Sequence, residues 1–147
     1  MAVNYTIVPR CVSPFDTLDA LTRYAFGLIY DRYRLSRREE TRDRWTDENG
    51  VYCVYDRADL AREMGVTLPT VRRCMDALAA AGLVYMRRSG PHGAWRYYPS
   101  VKARDAMGTL DGILEHLGYL DEDRQEDRRA FVDSLARSEE RRLGQCK

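Results

Sequence analysis

Five arginines fall in two short clusters, Arg72 with Arg73, and Arg87 with Arg88 and Arg96. Across residues 68–98 they meet one carboxylate, Asp76, and no lysine or glutamate, so the local charge is +4 where the whole chain carries +1. A guanidinium is permanently charged and presents five N–H donors in a planar fork. That fork fits a phosphate, or the acceptor edge of a purine, through two bonds at once. The chemistry available here is therefore non-covalent recognition of an anion. Concentration of positive charge on a short stretch of a nearly neutral chain is the electrostatic footprint of nucleic-acid binding.

Catalytic chemistry has weaker support. Two histidines occur, His92 and His116, and neither stands beside a candidate nucleophile. No phosphate-binding glycine loop is present. Asp47 and Glu48 are adjacent carboxylates, but they precede Asn49-Gly50 and read as an acidic turn. The four cysteines, at positions 11, 53, 74 and 146, show no CxxC spacing and have no histidine cluster near them. They are expected as free thiols, Cys53 in a strand and Cys74 near the inner side of a helix, and no metal site or cofactor is expected. The expectation is a binding protein without catalytic residues.

The arginines need two elements to hold them. Asp56 can cap a helix in which Ala58, Leu60, Ala61 and Met64 recur at helical spacing, and Gly65 ends it. Thr67 is placed to cap a second helix, with Pro69 in its first turn, where a missing N–H costs nothing. Val71, Met75 and Leu78 make the core stripe of that second helix, and Cys74 lies beside it. At about 100° per residue, Pro69, Arg73, Asp76, Ala77 and Ala80 point the other way, with Thr70 and Arg72 on the flanks. An ordinary solvated helix with two arginines would look the same. The Gly-Val-Thr turn before it and the hairpin after it favour a helix that enters a DNA groove.

That hairpin runs from Val84 to Tyr98. Its strands are β-branched or aromatic, its tip is Ser89-Gly90-Pro91-His92-Gly93-Ala94, and Arg87, Arg88 and Arg96 flank the tip. Helix, tight turn, helix and basic hairpin describe a winged helix-turn-helix. The expected DNA contacts are Thr67, Pro69, Thr70, Arg72 and Arg73 from the helix and Arg87, Arg88 and Arg96 from the wing. A strand over residues 51–55 is expected to join the two wing strands in one small antiparallel sheet. The fold class is α+β, mostly α.

Upstream, residues 5–15 hold two prolines and read as an extended arm. Asp19 can cap a helix reaching about Tyr33. That helix has an aliphatic stripe, Leu21, Ala25, Leu28 and Ile29, and an aromatic one, Phe26, Tyr30 and Tyr33. Two apolar sides require two covers. The aromatic side is expected either under the arm or against a second subunit, and the subunit alternative motivates a homodimer. Residues 34–50 read as a charged connection ending in the Asn-Gly turn.

Past Pro99 the composition changes. Met107, Leu110, Leu114 and Leu117 recur near the spacing of a narrow helical seam, a second candidate dimer surface. A charge-dense helical pattern follows over residues 121–142. From Ser100 onward nine basic residues face eleven acidic ones, a net of −2, which makes this part a poor DNA contact. The expected division is a winged-helix domain over 1–99 and a helical extension over 100–147. Hydrophobic content of 44% with 32% charge fits a soluble chain with a real core. The first ten residues carry no apolar run long enough for a signal peptide, and no segment approaches a membrane span. A cytoplasmic protein without a membrane partner is expected.

Three segments together resemble a known family. Asp31-Arg32-Tyr33-Arg34-Leu35-Ser36, then Trp45-Thr46-Asp47-Glu48-Asn49-Gly50-Val51-Tyr52, then the helix-turn-helix ending Ala81-Gly82-Leu83-Val84, are similar to the N-terminal domain of the replication initiator A family of plasmids and mobile elements of Gram-positive bacteria. The opening Tyr5-Thr6-Ile7-Val8-Pro9-Arg10 fits the same domain, so about the first hundred residues take part in the resemblance. It implies a winged-helix domain, commonly dimeric, that binds repeated sites on double-stranded DNA at a replication origin, with host replication proteins as further partners. The chain departs from the family in the extra charges of residues 37–44. It also departs past Pro99, where initiators of this type continue into a separate C-terminal domain. A winged-helix transcriptional regulator and a winged helix used only for protein contacts are the alternative functions, because fold alone does not fix function.

Overall fold

The computed structural model describes residues 6–88 and 90–116, with side chains through residue 108. The chain divides into two compact units, one spanning Val3–Ala106 and the other Met107–Lys147 with Met1–Ala2. The first unit holds every candidate DNA contact.

Its first helix, α1, is Ala20–Ser36. Asp19 caps it as expected, accepting the Thr22 N–H at 2.8 Å. Helix α2, Arg57–Met64, begins under Asp56, whose carboxylate accepts the Ala58 N–H at 2.7 Å. Gly65 ends it with φ +69°, a left-handed backbone that favours glycine. Helix α3, Leu68–Ala80, follows after the three-residue turn Gly65-Val66-Thr67. The aliphatic and thiol side of α3, Val71, Cys74, Met75 and Leu78, is fully buried. It packs with α1 and α2 to form the helical half of the core.

The chain then forms β4, Val84–Arg88, and β5, Trp95–Pro99, antiparallel with Val84 opposite Pro99 and Arg88 opposite Trp95. A short strand β3, Cys53–Val54, pairs with the other edge of β5, giving the order β3-β5-β4. The expected single strand over 51–55 is broken at Tyr52. Its first part, β2, Gly50–Val51, turns back on β1, Thr46–Asp47, in a separate small hairpin. The connection over 34–50 is therefore structured: α1 runs on to Ser36, a turn of 3-10 helix spans Arg42–Trp45, and β1 and β2 close around the Asn-Gly turn. Gly50 has φ +110°, which that tight return requires. The result is an α+β winged helix with small antiparallel sheets.

The aromatic side of α1 is not a subunit surface. Phe26 and Tyr30 are 0% exposed and Tyr33 is 3% exposed within one chain. The cover is the arm. Phe15 meets Phe26 at 4.9 Å between ring centroids with the rings tilted, and Tyr30 stacks on Phe26 and continues the row to Tyr33. The arm backbone lies so close to α1 that a Cβ at Gly27 would meet the Ile7 carbonyl oxygen at 2.6 Å. Thr6 donates to Asp31 at 2.6 Å, and Arg23 donates to the Pro9 carbonyl at 3.0 Å. The prolines and apolar residues of the arm are there to seal this face.

After β5, helix α4 is Val101–His116. Its first turn is anchored by the Ser100 hydroxyl, which accepts the Ala103 N–H at 3.2 Å, and Ala103 is fully buried. Leu110 and Leu114 fall on α4, but their side chains, and the whole of Leu117, lie outside the described residues.

Candidate nucleic-acid interface

The outward side of α3 carries Pro69, Arg73, Asp76 and Ala80, all exposed, with exposed Arg72 on one flank and half-buried Thr70 on the other. Thr67 occupies the capping position of α3 but does not cap it with its side chain. Its hydroxyl lies 3.1 Å from that of Thr70 instead. The N–H groups of the first turn of α3 thus keep no side-chain cap from Thr67, and the N-terminal end of the helix offers donors and a positive dipole. Small residues along this side leave the backbone able to approach a groove, and the two arginines are its long side chains.

The two arginines differ. Arg72 has no ion pair among the described residues. Arg73 donates through Nη1 to Oδ2 of Asp19 at 2.9 Å, across 54 residues of sequence. Both members of that pair are about half exposed. Asp19 is held at about 2, below its ordinary 3.8, first by hydrogen bonds from the Thr22 side chain and backbone and then by Arg73. Arg73 is in turn raised, by the hydrogen bond to Asp19 and by its charge.

The wing arginines divide further. Register places Arg87 opposite Arg96 on one face of the hairpin and Arg88 opposite Trp95 on the other. Arg88 donates through Nε to the Gly93 carbonyl at 3.1 Å and lies 5.5 Å from the Trp95 ring centroid. Arg57, from the first turn of α2, sits over the same indole at 4.2 Å. The charge pattern of residues 68–98 missed Arg57. Its one signal was a cation at the start of a helix, where the dipole disfavours it. Together Arg57, Trp95 and Arg88 give the tip end of the wing strands a cationic, aromatic edge.

On the other face, the β1–β2 hairpin supplies carboxylates. Arg87 donates to Glu48 at 3.4 Å, a long contact between two well-exposed groups. Arg96 donates to Asp47 Oδ2 at 2.7 Å and lies over the Tyr52 ring at 4.4 Å. Tyr98 donates its hydroxyl to the same Asp47 oxygen. Burial alone would raise the Asp47 carboxyl, but hydrogen bonds from Tyr98, the Asn49 N–H and Arg96 together hold it below 3.8. Arg96, expected among the phosphate contacts, is thus committed to fastening the β1–β2 hairpin onto the wing. A guanidinium that holds a half-buried carboxylate and covers an aromatic ring is not free to reach a phosphate.

The motifs behind the family resemblance also have structural jobs. Arg34 is almost fully buried, donates to Asp31 at 2.9 Å and lies over the Tyr30 ring. Arg32 lies over Tyr55 at 3.9 Å and donates to the Val54 carbonyl at 3.2 Å. Trp45 meets Tyr52 edge to face. These residues tie α1 to β3 and the small hairpin to the sheet. None of them reaches the outer side of α3. Cys53 is buried, and that burial pushes its thiol up to about 12, the state of a core residue. Among the described residues no group of three or more His, Cys, Asp or Glu is placed to hold a metal ion, and no helix is long and apolar enough to cross a membrane.

Neither a family model nor a curated protein matches the sequence. Solved structures do. A chain described as the N-terminal domain of a DNA-binding protein matches with a TM-score of 0.51 and 21% identity, covering 76% of this chain and 87% of that one. A chain from the structure of a Rep–DNA complex matches with the same TM-score and identity, covering 76% of this chain and 88% of that one. A chain from the structure of an MDR initiator matches at 0.49 with 20% identity, covering 74% of this chain and 88% of that one. At this level of identity the likeness is one of fold.

Proposed function

We propose that this chain is a sequence-specific double-stranded DNA-binding protein that lays α3 in the major groove, and that its target is a replication origin of a plasmid or mobile element. The observation that carries the reading is the outer side of α3: a fully packed helix whose exposed side is small except for Arg72 and Arg73, flanked by a wing bearing Arg87 and Arg88. The order is that of a recognition helix with backbone-contacting support. The origin as target is supported by the resemblance of about the first hundred residues to the initiator domain and by the likeness of fold to a chain from a Rep–DNA complex. The action is binding, with no catalytic step and no cofactor.

Two such heads on one site would multiply the discrimination of one. If the chain dimerises, it does so through residues other than Phe26, Tyr30 and Tyr33, which are core. Leu110, Leu114 and Leu117 remain the proposed seam, tested by sedimentation equilibrium at micromolar concentration of the chain and of its Leu110→Ser variant.

The test of function is selection of duplexes from a random pool, followed by titration of the selected site and of random duplex at several salt concentrations. Binding that falls steeply with salt and prefers the selected site is expected. Iterated selected sites beside the coding region support an origin. A single promoter-like site supports a regulator, and absence of duplex binding at low salt removes the DNA reading.

A further inference from the structure

Asp19 carries two loads with one carboxylate. Oδ1 accepts the Thr22 N–H at 2.8 Å and caps α1, while Oδ2 accepts Nη1 of Arg73 at 2.9 Å. The cap fixes where the carboxylate stands. Asp19 is therefore a stationary point beside the outer side of α3, set by a helix that does not itself present the groove residues. Arg73 reaches it from 54 positions away, so the contact is one of tertiary structure and not of neighbouring sequence.

The guanidinium is thus held by one prong. Its Nε and Nη2 make no hydrogen bond among the described residues, and the side chain is 54% exposed. A fork pinned at one end and open at the other keeps its remaining donors in one plane. It can meet a pair of acceptors lying in that plane without leaving Asp19. It cannot follow a phosphate that lies elsewhere without breaking the pair and leaving a carboxylate facing the duplex. The first situation describes a base edge at a matched site, and the second describes a random duplex, on which the head takes no single register.

We propose that Asp19 is a specificity-determining residue that positions Arg73 for a base edge and withholds it from phosphates on unmatched DNA. The proposal rests on the DNA-binding reading above. It differs from a plain surface ion pair, which would contribute little and affect every duplex alike.

The test is Asp19→Asn. Asparagine is as good a capping residue as aspartate, so α1 keeps its cap while Arg73 loses its counter-charge. Random duplex should then bind about fivefold more tightly near 0.1 M salt, with a salt slope steeper by about one unit, as one further phosphate contact requires. Affinity for the site selected by the wild-type chain should change less than twofold, so the ratio of selected to random affinity falls. In the Arg73→Ala background, Asp19→Asn should no longer steepen the salt slope by the roughly one unit it adds in the wild type, since the extra phosphate contact is made by Arg73. Asp19→Ser, which also keeps a capping oxygen, repeats the measurement if the asparagine variant melts lower. An unchanged random affinity and slope, or equal shifts on selected and random duplex, overturns the role of Asp19 while leaving DNA binding intact. A wild-type chain that binds no duplex at low salt overturns the reading beneath it.

Discussion

The arginines of α3 and those of the wing look equivalent in sequence and are not equivalent in the fold. On α3 the backbone is locked by a buried stripe, and Arg72, Arg73, Asp76 and Ala80 on the other side are exposed. Arg72 and Arg73 project because their helix is finished without them. In the wing the strands are thin, and one face of the hairpin is itself covered, by the β1–β2 hairpin. Arg96 then becomes part of how two hairpins adhere, through Asp47 and the Tyr52 ring. A count of positive charge gives the field around an element. It does not tell which charges are available to a ligand, because that depends on which carboxylates the tertiary structure brings alongside.

The largest effect that can break this contrast is at α3. Arg73→Ala is expected to weaken binding to the selected site by roughly 10- to 100-fold, with a melting temperature close to wild type, since the side chain is exposed. Unchanged affinity at moderate salt would take Arg73 out of the interface and leave α3 as an ordinary solvated helix. The wing should show the reverse pattern at Arg96. Arg96→Met removes the cationic partner of Asp47, a carboxylate only 12% exposed that keeps Tyr98 and the Asn49 N–H, and should lower folding stability by about 1–2 kcal/mol in urea unfolding. Its salt slope on random duplex should stay as in wild type. A shallower slope with unchanged stability would return Arg96 to the phosphates.

Much of the fold was legible because local rules agreed with one another. Asp19 and Asp56 at helix starts, Gly65 after α2, the Val71–Met75–Leu78 stripe and the Gly-Pro tip each follow from backbone chemistry that needs no distant partner. What the sequence left open was what covers what. The aromatic stripe of α1 required a cover, and Phe26, Tyr30 and Tyr33 could not say whether it was the arm or another subunit. Gly27 held the answer, because a Cβ there would meet the arm backbone at the Ile7 carbonyl, but a lone glycine in a helix does not identify its neighbour. The same gap explains the site. Asp19, Asp47 and Glu48 lie 54, 49 and 39 residues from the arginines they meet, and no periodicity links them.

Between those extremes stands Arg87. Its contact with Glu48 is long and open to water, so screening leaves it little strength. It should exchange for a phosphate readily. Arg87→Gln is expected to weaken selected and random duplex alike, about three- to fivefold near 0.1 M salt, and to shallow the salt slope by about one unit. A change in sequence preference without a change in slope would mean that the wing reads bases.

The smallest effect separates the carboxylates by acid. Asp19 and Asp47 titrate below their ordinary 3.8 in the folded chain. Their contribution is therefore fully present above about pH 5 and lost as pH falls through their folded values, near 2 for Asp19. Asp31 acts in the opposite sense. Burial raises it above 3.8 against the hydrogen bond from Thr6 and the charge of Arg34, so its protonation on acidification relieves a cost. The wild-type curve alone would mix the three. Comparison with Asp19→Asn isolates one of them, since Asp31 and Asp47 are common to both chains. The urea midpoint of the wild type should exceed that of the variant by a constant margin from pH 8 to 5. That margin should narrow below pH 4 and close toward pH 2, where Asp19 takes up its proton. A margin that persists unchanged at pH 2.5 would mean the charge of Asp19 does nothing for the fold. Its pairing with Arg73 would then matter only when DNA is present.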